Sequence, residues 1–61
     1  MSGEERDVIF EITRSGGVQR VAAIDVARGV EVVVQTPENA ALADVRALAL
    51  RKLKRALKNS E

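Results

Sequence analysis

Apolar and polar residues alternate in three separate segments along the first half of the chain. The segments VIFEITR, VQRVAAID and VEVVVQ each place every second residue on one face of an extended chain. Such alternation is typical of strands that are buried on one face and solvated on the other. The pattern therefore predicts three strands, near residues 7–14, 18–25 and 30–35.

The segments that separate these strands have the composition of tight turns. SGG at residues 15–17 supplies glycines that adopt positive φ at low steric cost. In DVARG, Asp25 can accept a hydrogen bond from the backbone that follows it, and Gly29 suits the left-handed position of a hairpin loop. Two short turns between three strands predict an antiparallel meander.

Beyond the third strand, the apolar spacing changes to that of a helix. No Gly or Pro occurs between Ala40 and Lys58, and Ala, Leu, Arg and Lys dominate this segment. The preceding TPEN offers Thr36 or Asn39 as a cap and Pro37 as a first helical residue. These signals predict a helix near residues 38–58.

Together these elements predict an α+β fold: a three-stranded antiparallel β-meander followed by one long C-terminal helix packed on one sheet face, in the order βββα. Residues 1–6 are expected to be a mobile acidic N-terminal lead, and residues 7–61 a single domain. The predicted core consists of alternate strand residues and the apolar stripe of the helix, namely Val8, Phe10, Ile12, Val21, Val32, Val34, Val45, Ala49 and Leu53.

The composition argues against catalysis. The chain has no Cys and no His, and its one aromatic residue is Phe10. It therefore lacks a thiol nucleophile, the commonest metal ligand and a ring platform for stacking bases. We expect a protein that is not an enzyme, with no cofactor, no metal and no small-molecule substrate. No apolar run approaches the length of a membrane span, and the start does not resemble a secretory signal, so a cytoplasmic protein without membrane contact is expected.

A domain of 61 residues is close to the lower limit for folding alone, and this chain has no disulfide to help. Four apolar residues fall on the sheet face that the helix leaves open, and a helix longer than the strands would carry a fifth beyond the sheet. This candidate oligomer surface is made of Ile9, Ala22, Ile24, Val33 and Leu57. The leading hypothesis is a non-enzymatic interaction module that forms a homodimer or higher oligomer, or serves as a small subunit of a larger assembly.

Charge is unevenly distributed along the chain, although the net charge is only +1. Six acids and four arginines in residues 1–35 give −2, whereas three acids and six bases in residues 36–61 give +3. On a helical wheel, four bases form a ridge opposite the apolar stripe: Arg51, Lys54, Arg55 and Lys58. The alternative hypothesis is a nucleic-acid-binding domain that uses this ridge; the simpler interpretation is the solvated side of an amphipathic helix.

The segments VIFEITR, VAAIDVARGVEV and LALRKLKRAL together resemble a family of short, uncharacterised alphaproteobacterial proteins. Its common second turn has Pro where this chain has Val26. The resemblance implies a stand-alone bacterial cytoplasmic domain built from two hairpins and a helix. It implies no activity and no catalytic residue.

Overall fold

The structure, a computed structural model, describes residues 7–59. The predicted mobile lead, residues 1–6, lies outside the described residues, as do residues 60 and 61. Three strands form one antiparallel sheet in the order β1-β2-β3, with β1 at Val8–Ser15, β2 at Val18–Asp25 and β3 at Val30–Pro37. The predicted meander is confirmed, and the end of β3 lies two residues beyond its expected position.

Both turns have the geometry that their residues predict. Gly16 and Gly17 join β1 to β2 with φ of 59° and 81°, as a two-residue hairpin turn with two left-handed positions requires. At the other turn, the Arg28 N–H donates to Asp25 Oδ1 at 2.8 Å, and Gly29 has a φ of 68°. Short turns fix the strand register, so each inward residue of β1 lies opposite an inward residue of β2.

The helix α1 runs from Leu42 to Asn59 and begins four residues after the predicted start. The reason is that β3 continues through Pro37, and the Glu38 N–H donates to the carbonyl of Gly17 at 2.8 Å. A turn follows, in which the Ala40 N–H donates to the carbonyl of Pro37 at 3.1 Å. Pro37 is therefore the last residue of an edge strand, which tolerates its missing N–H. The predicted roles of Thr36, Pro37 and Asn39 at the helix start are wrong.

The helix covers β2 and β3, and the core lies between these elements. Its buried residues are Val21, Ala23, Val45, Ala49 and Leu53, with partly buried residues such as Phe10, Val32 and Val34 packed around them. Most of the predicted core is confirmed, and Val8 also packs against it. Ile12 was predicted in the core but is 38% exposed, because it lies on β1, beside the helix rather than beneath it.

Candidate interaction surfaces

The sheet face that α1 does not cover carries four of the five residues predicted to form an oligomer surface. Ile9 lies directly opposite Ile24 on the neighbouring strand, and Ala22 lies opposite Val33. The four are adjacent, but their exposure is unequal: Ile9 is 51% exposed, Ala22 is 5% exposed, and the other two are half-buried. We call these four residues the outer apolar patch; its exposed part is mainly Ile9.

Leu57 does not belong to this surface. It lies on α1, on the opposite side of the sheet, and packs half-buried against the core. The predicted overhang was based on a helix of about 20 residues and strands of about 7. The observed helix has 18 residues, or about 27 Å. Each strand has 8 residues, or about 26 Å. Sheet and helix are therefore nearly equal in length, and the expected overhang at Leu57 is wrong.

The helix-facing side of β1 forms a second surface, because α1 sits over the other two strands. A cleft of about 240 Å³ separates β1 from the helix and is lined by Val8, Phe10, Arg46, Ala47 and Leu50. The guanidinium carbon of Arg46 lies 5.2 Å from the centre of the Phe10 ring, a cation–π distance that covers one side of the ring. Ile12 continues this surface along the strand.

The basic ridge is where the wheel predicted it. Arg51, Lys54, Arg55 and Lys58 are all exposed on α1, away from the sheet. Two of them, Arg51 and Arg55, line an open depression of about 590 Å³ with Lys52 and with Leu48, which is 44% exposed. Lys54 and Lys58 are not among the residues that line it. The structure therefore splits the predicted ridge and brings Lys52 and Leu48 to one half of it.

Lys52 has a contact that the sequence did not indicate. Its Nζ donates to the backbone carbonyl of Val33 at 3.0 Å, so the side chain crosses from the helix to the outer edge of β3. A lysine at this wheel position carries no signal of such a contact, because it depends on where the helix lies over the sheet.

Two buried polar residues hold the ends of the sheet. Gln19 is fully buried, and its side-chain amide accepts from Arg14 Nε at 3.0 Å and lies 3.4 Å from both Thr36 Oγ1 and the carbonyl of Ala40. Asp25 is 2% exposed and, besides the Arg28 N–H, pairs with the Arg28 guanidinium at 3.1 Å. Alternation places Gln19 on the inward face with Val21, and that is the signal by which its burial was predictable.

The described residues contain no cluster suited to binding a metal ion. Between residues 7 and 59, no three His, Cys, Asp or Glu side chains come together. The described chain also has no helix long and apolar enough to cross a membrane.

A family model described as a domain of unknown function, DUF6898, matches residues 5–60, so the chain belongs to this family. No curated protein matches the chain. No solved structure matches it either.

Proposed function

We propose that this DUF6898 domain is a non-enzymatic interaction module that works as a homo-oligomer, with a dimer as its basic unit. The observation that supports this proposal is that apolar side chains of β1 stay exposed on both faces of the sheet. Ile9 on one face of β1 is 51% exposed and Ile12 on the other is 38% exposed, with the half-buried Phe10 between them. A chain this small gains stability from burying them, since covering the exposed part of each side chain contributes about 1 kcal/mol.

Light scattering after size-exclusion chromatography tests this proposal directly. At tens of micromolar, we expect a mass near twice the 6.6 kDa of the chain. Ile9→Glu should shift the protein to the monomer, because a negative charge would replace the most exposed residue of the outer apolar patch. Leu48→Glu is the matched control: Leu48 is 44% exposed on α1, and the same charge there should leave the dimer intact. A mass of 6.6 kDa at all concentrations would contradict the proposal.

A second candidate function is binding of nucleic acid through α1. The depression lined by Arg51, Lys52, Arg55 and Leu48 favours it, because three of these four residues are cationic and no acid occurs between Val45 and Asn59. Phosphates neutralised by such groups release counterions, which makes affinity fall steeply with salt. The outer sheet face is less suited, since Glu11 and Glu31 lie on it.

An electrophoretic shift with duplex DNA and with single-stranded RNA, at low and at physiological salt, tests this second function. If α1 binds, Arg55→Glu should abolish the shift, whereas Arg20→Glu, an equal charge change on the exposed outer sheet face, should preserve most of it. No shift at low salt would remove this candidate. Retention of binding in Arg55→Glu would place the binding elsewhere.

The setting that we propose is the bacterial cytoplasm. It is supported by the resemblance of the two hairpin segments and the helix to short alphaproteobacterial proteins. The partner in such a setting is a second copy of the chain, or a larger protein assembly of which the dimer is a subunit. Localisation of a tagged chain in a native host would test this part of the proposal.

A further inference from the structure

The direction of each backbone group in the sheet follows from one contact. Because Lys52 Nζ reaches the carbonyl of Val33, that carbonyl points away from β2, toward the free edge of β3. N–H and C=O groups of a strand alternate sides, so the even-numbered residues of β3 pair with odd-numbered residues of β2. Even-numbered residues of β2 then pair with odd-numbered residues of β1. The backbone groups on the outer edge of β1 are therefore those of Val8, Phe10, Ile12 and Arg14.

The two edges of the sheet differ in how open they are. On β3, Lys52 occupies the carbonyl of Val33, and Pro37 has no N–H to offer. Both are devices that keep another strand from pairing with an edge. Within the described residues, no strand pairs with the outer edge of β1 and no helix covers it. A sheet with one open edge accepts one further strand there, and an identical chain then closes a twofold pair without forming a fibre.

We propose that this domain dimerises by antiparallel pairing of β1 with β1 of a second copy, which forms one six-stranded sheet with both helices on the same face. This inference rests on the proposed self-association and specifies its geometry. The twofold axis lies at Phe10, so Phe10 faces its own copy, Val8 faces Ile12, and Ile9 faces Glu11. Val8, Phe10 and Ile12, whose backbone groups point outward from β1, then exchange main-chain hydrogen bonds with the second copy.

Charge and side-chain matching favour this register over its neighbours. An axis at Ile9 would set Asp7 opposite Glu11, which are like charges. Moving the axis by one or two residues in the C-terminal direction would place it at Glu11 or at Ile12. An axis at Glu11 sets two glutamates directly opposite each other, which is destabilising. An axis at Ile12 sets Phe10 opposite Arg14 and Val8 opposite the Gly16 turn, so apolar surface stays exposed. With the axis at Phe10, the side chain of Ile12 from one copy lies beside Val8 of the other copy, at the cleft between β1 and α1.

The same register accounts for the exposure of Ile9 on the outer face. Residues diagonal across an antiparallel pair lie about 7–8 Å apart, within reach of large side chains. Ile9 and its copy are diagonal neighbours in this arrangement, so each covers part of the other. On the helix side, the two helices would stand about four strand spacings apart, or about 19 Å. That exceeds the roughly 8–10 Å of packed helices, so they do not collide.

Disulfide cross-linking tests the register. Because the chain has no cysteine of its own, each cross-link comes from an introduced residue. Ile9→Cys and Glu11→Cys are prepared separately, mixed in equal amounts and oxidised at tens of micromolar. Both positions are exposed, and directly opposed residues in such pairs have Cβ atoms close enough for a disulfide. We expect the mixed 9–11 cross-link to exceed each same-residue cross-link several-fold. Glu11→Cys bonding mainly to itself, cross-links in random proportion or none at all would overturn the proposal.

Proline substitution tests the edge itself. Ile12→Pro removes an outward N–H from β1 without removing a bond of the β1–β2 ladder, so the dimer should dissociate while circular dichroism stays native. The matched control is Gln35→Pro, which removes an outward N–H from β3 and should leave the dimer intact. A dimer that survives Ile12→Pro but dissociates with Val33→Lys would place the interface on the outer face and overturn edge pairing while keeping the proposed function. A monomeric wild-type chain would instead remove the proposed function.

Discussion

Gln19 joins three parts of the molecule through one side chain. It is fully buried, its Oε1 accepts from Arg14 of β1, and its Nε2 faces Thr36 of β3 and the carbonyl of Ala40 in the turn before the helix. A buried amide is stable only when its polar atoms have partners. This residue therefore ties the open end of the sheet to the start of the helix.

Gln19→Ala should lower the free energy of unfolding by about 2 kcal/mol, because it leaves a void and removes the N–H donor to Thr36 Oγ1 and to the Ala40 carbonyl. Urea unfolding followed by circular dichroism measures the effect. Gln35→Ala, at an exposed position of β3, is the control and should change stability by less than about 0.5 kcal/mol. Equal effects of the two variants would contradict the role assigned to Gln19.

Asp25 and Arg28 form an ion pair whose two members should differ in importance. The Asp25 carboxylate is buried and also accepts from the backbone N–H of Arg28, whereas the Arg28 side chain is 62% exposed. Asp25→Ala should cost about 2 kcal/mol because it removes the acceptor that orders the turn. Arg28→Ala should cost less, about 1 kcal/mol, because the guanidinium is mostly exposed and the Asp25 carboxylate keeps its bond from the N–H of residue 28. Thermal unfolding of both variants checks this order, and a larger loss in Arg28→Ala would refute it.

At the level of elements, the sequence signals and the structure disagree on where the helix begins. The carbonyl of Ala41 accepts from the N–H groups of Asp44 and Val45, both at 3.1 Å, so Ala41 is the N-cap residue. Its side chain offers no acceptor to the free N–H groups of the first turn. Thr36 and Asn39 are stronger capping residues, but they lie in β3 and in the turn that follows it, before the helix begins.

Ala41→Ser should therefore stabilise the protein by about 1 kcal/mol, by accepting a hydrogen bond from the first turn. Ala47→Ser, at an exposed position inside the helix, is the matched control. It should destabilise by about 0.5 kcal/mol, since serine is a poorer helix former than alanine. The urea midpoints of both variants provide the comparison. A destabilised Ala41→Ser would show that the helix begins at another residue.

Across the whole molecule, charge is separated between two sides. The helix has a net charge of +5, from one acid, Asp44, and six bases. The bases are Arg46, Arg51, Lys52, Lys54, Arg55 and Lys58. The outer sheet face carries Glu11, Glu31 and Arg20 instead. In a six-stranded dimer, both helices lie on one side, so the positive surface would double in area while the outer apolar patches extend across the other side.

Self-association should make the unfolding temperature depend on protein concentration, because mass action favours the folded dimer. Over a hundredfold range of concentration, the midpoint should rise by roughly 10 °C if dissociation and unfolding coincide in a domain of this size. Ile12→Pro should remove this dependence, whereas Leu48→Glu should keep it. Scanning calorimetry at several concentrations measures both. A constant midpoint in the wild-type chain would contradict a dimer in this range.

The order of elements, the turns and most of the core follow from the sequence alone. Alternation gave the three strands because successive side chains point to opposite faces, and Gly16, Gly17 and Gly29 marked positions with positive φ. The apolar stripe of the helix predicted Val45, Ala49 and Leu53 in the core. These are properties of local backbone geometry and of neighbours three or four residues apart.

Where the helix lies over the sheet was decided only by the tertiary structure. The pattern of β1 is the same whether the helix covers it or not, so Ile12 was predicted in the core while the structure leaves it 38% exposed. The contact of Lys52 with Val33 and the packing of Leu57 on the core depend on that same placement. The periodicity of the sequence indicates which face of an element is apolar. Packing among residues far apart in the chain decides which neighbouring element covers that face.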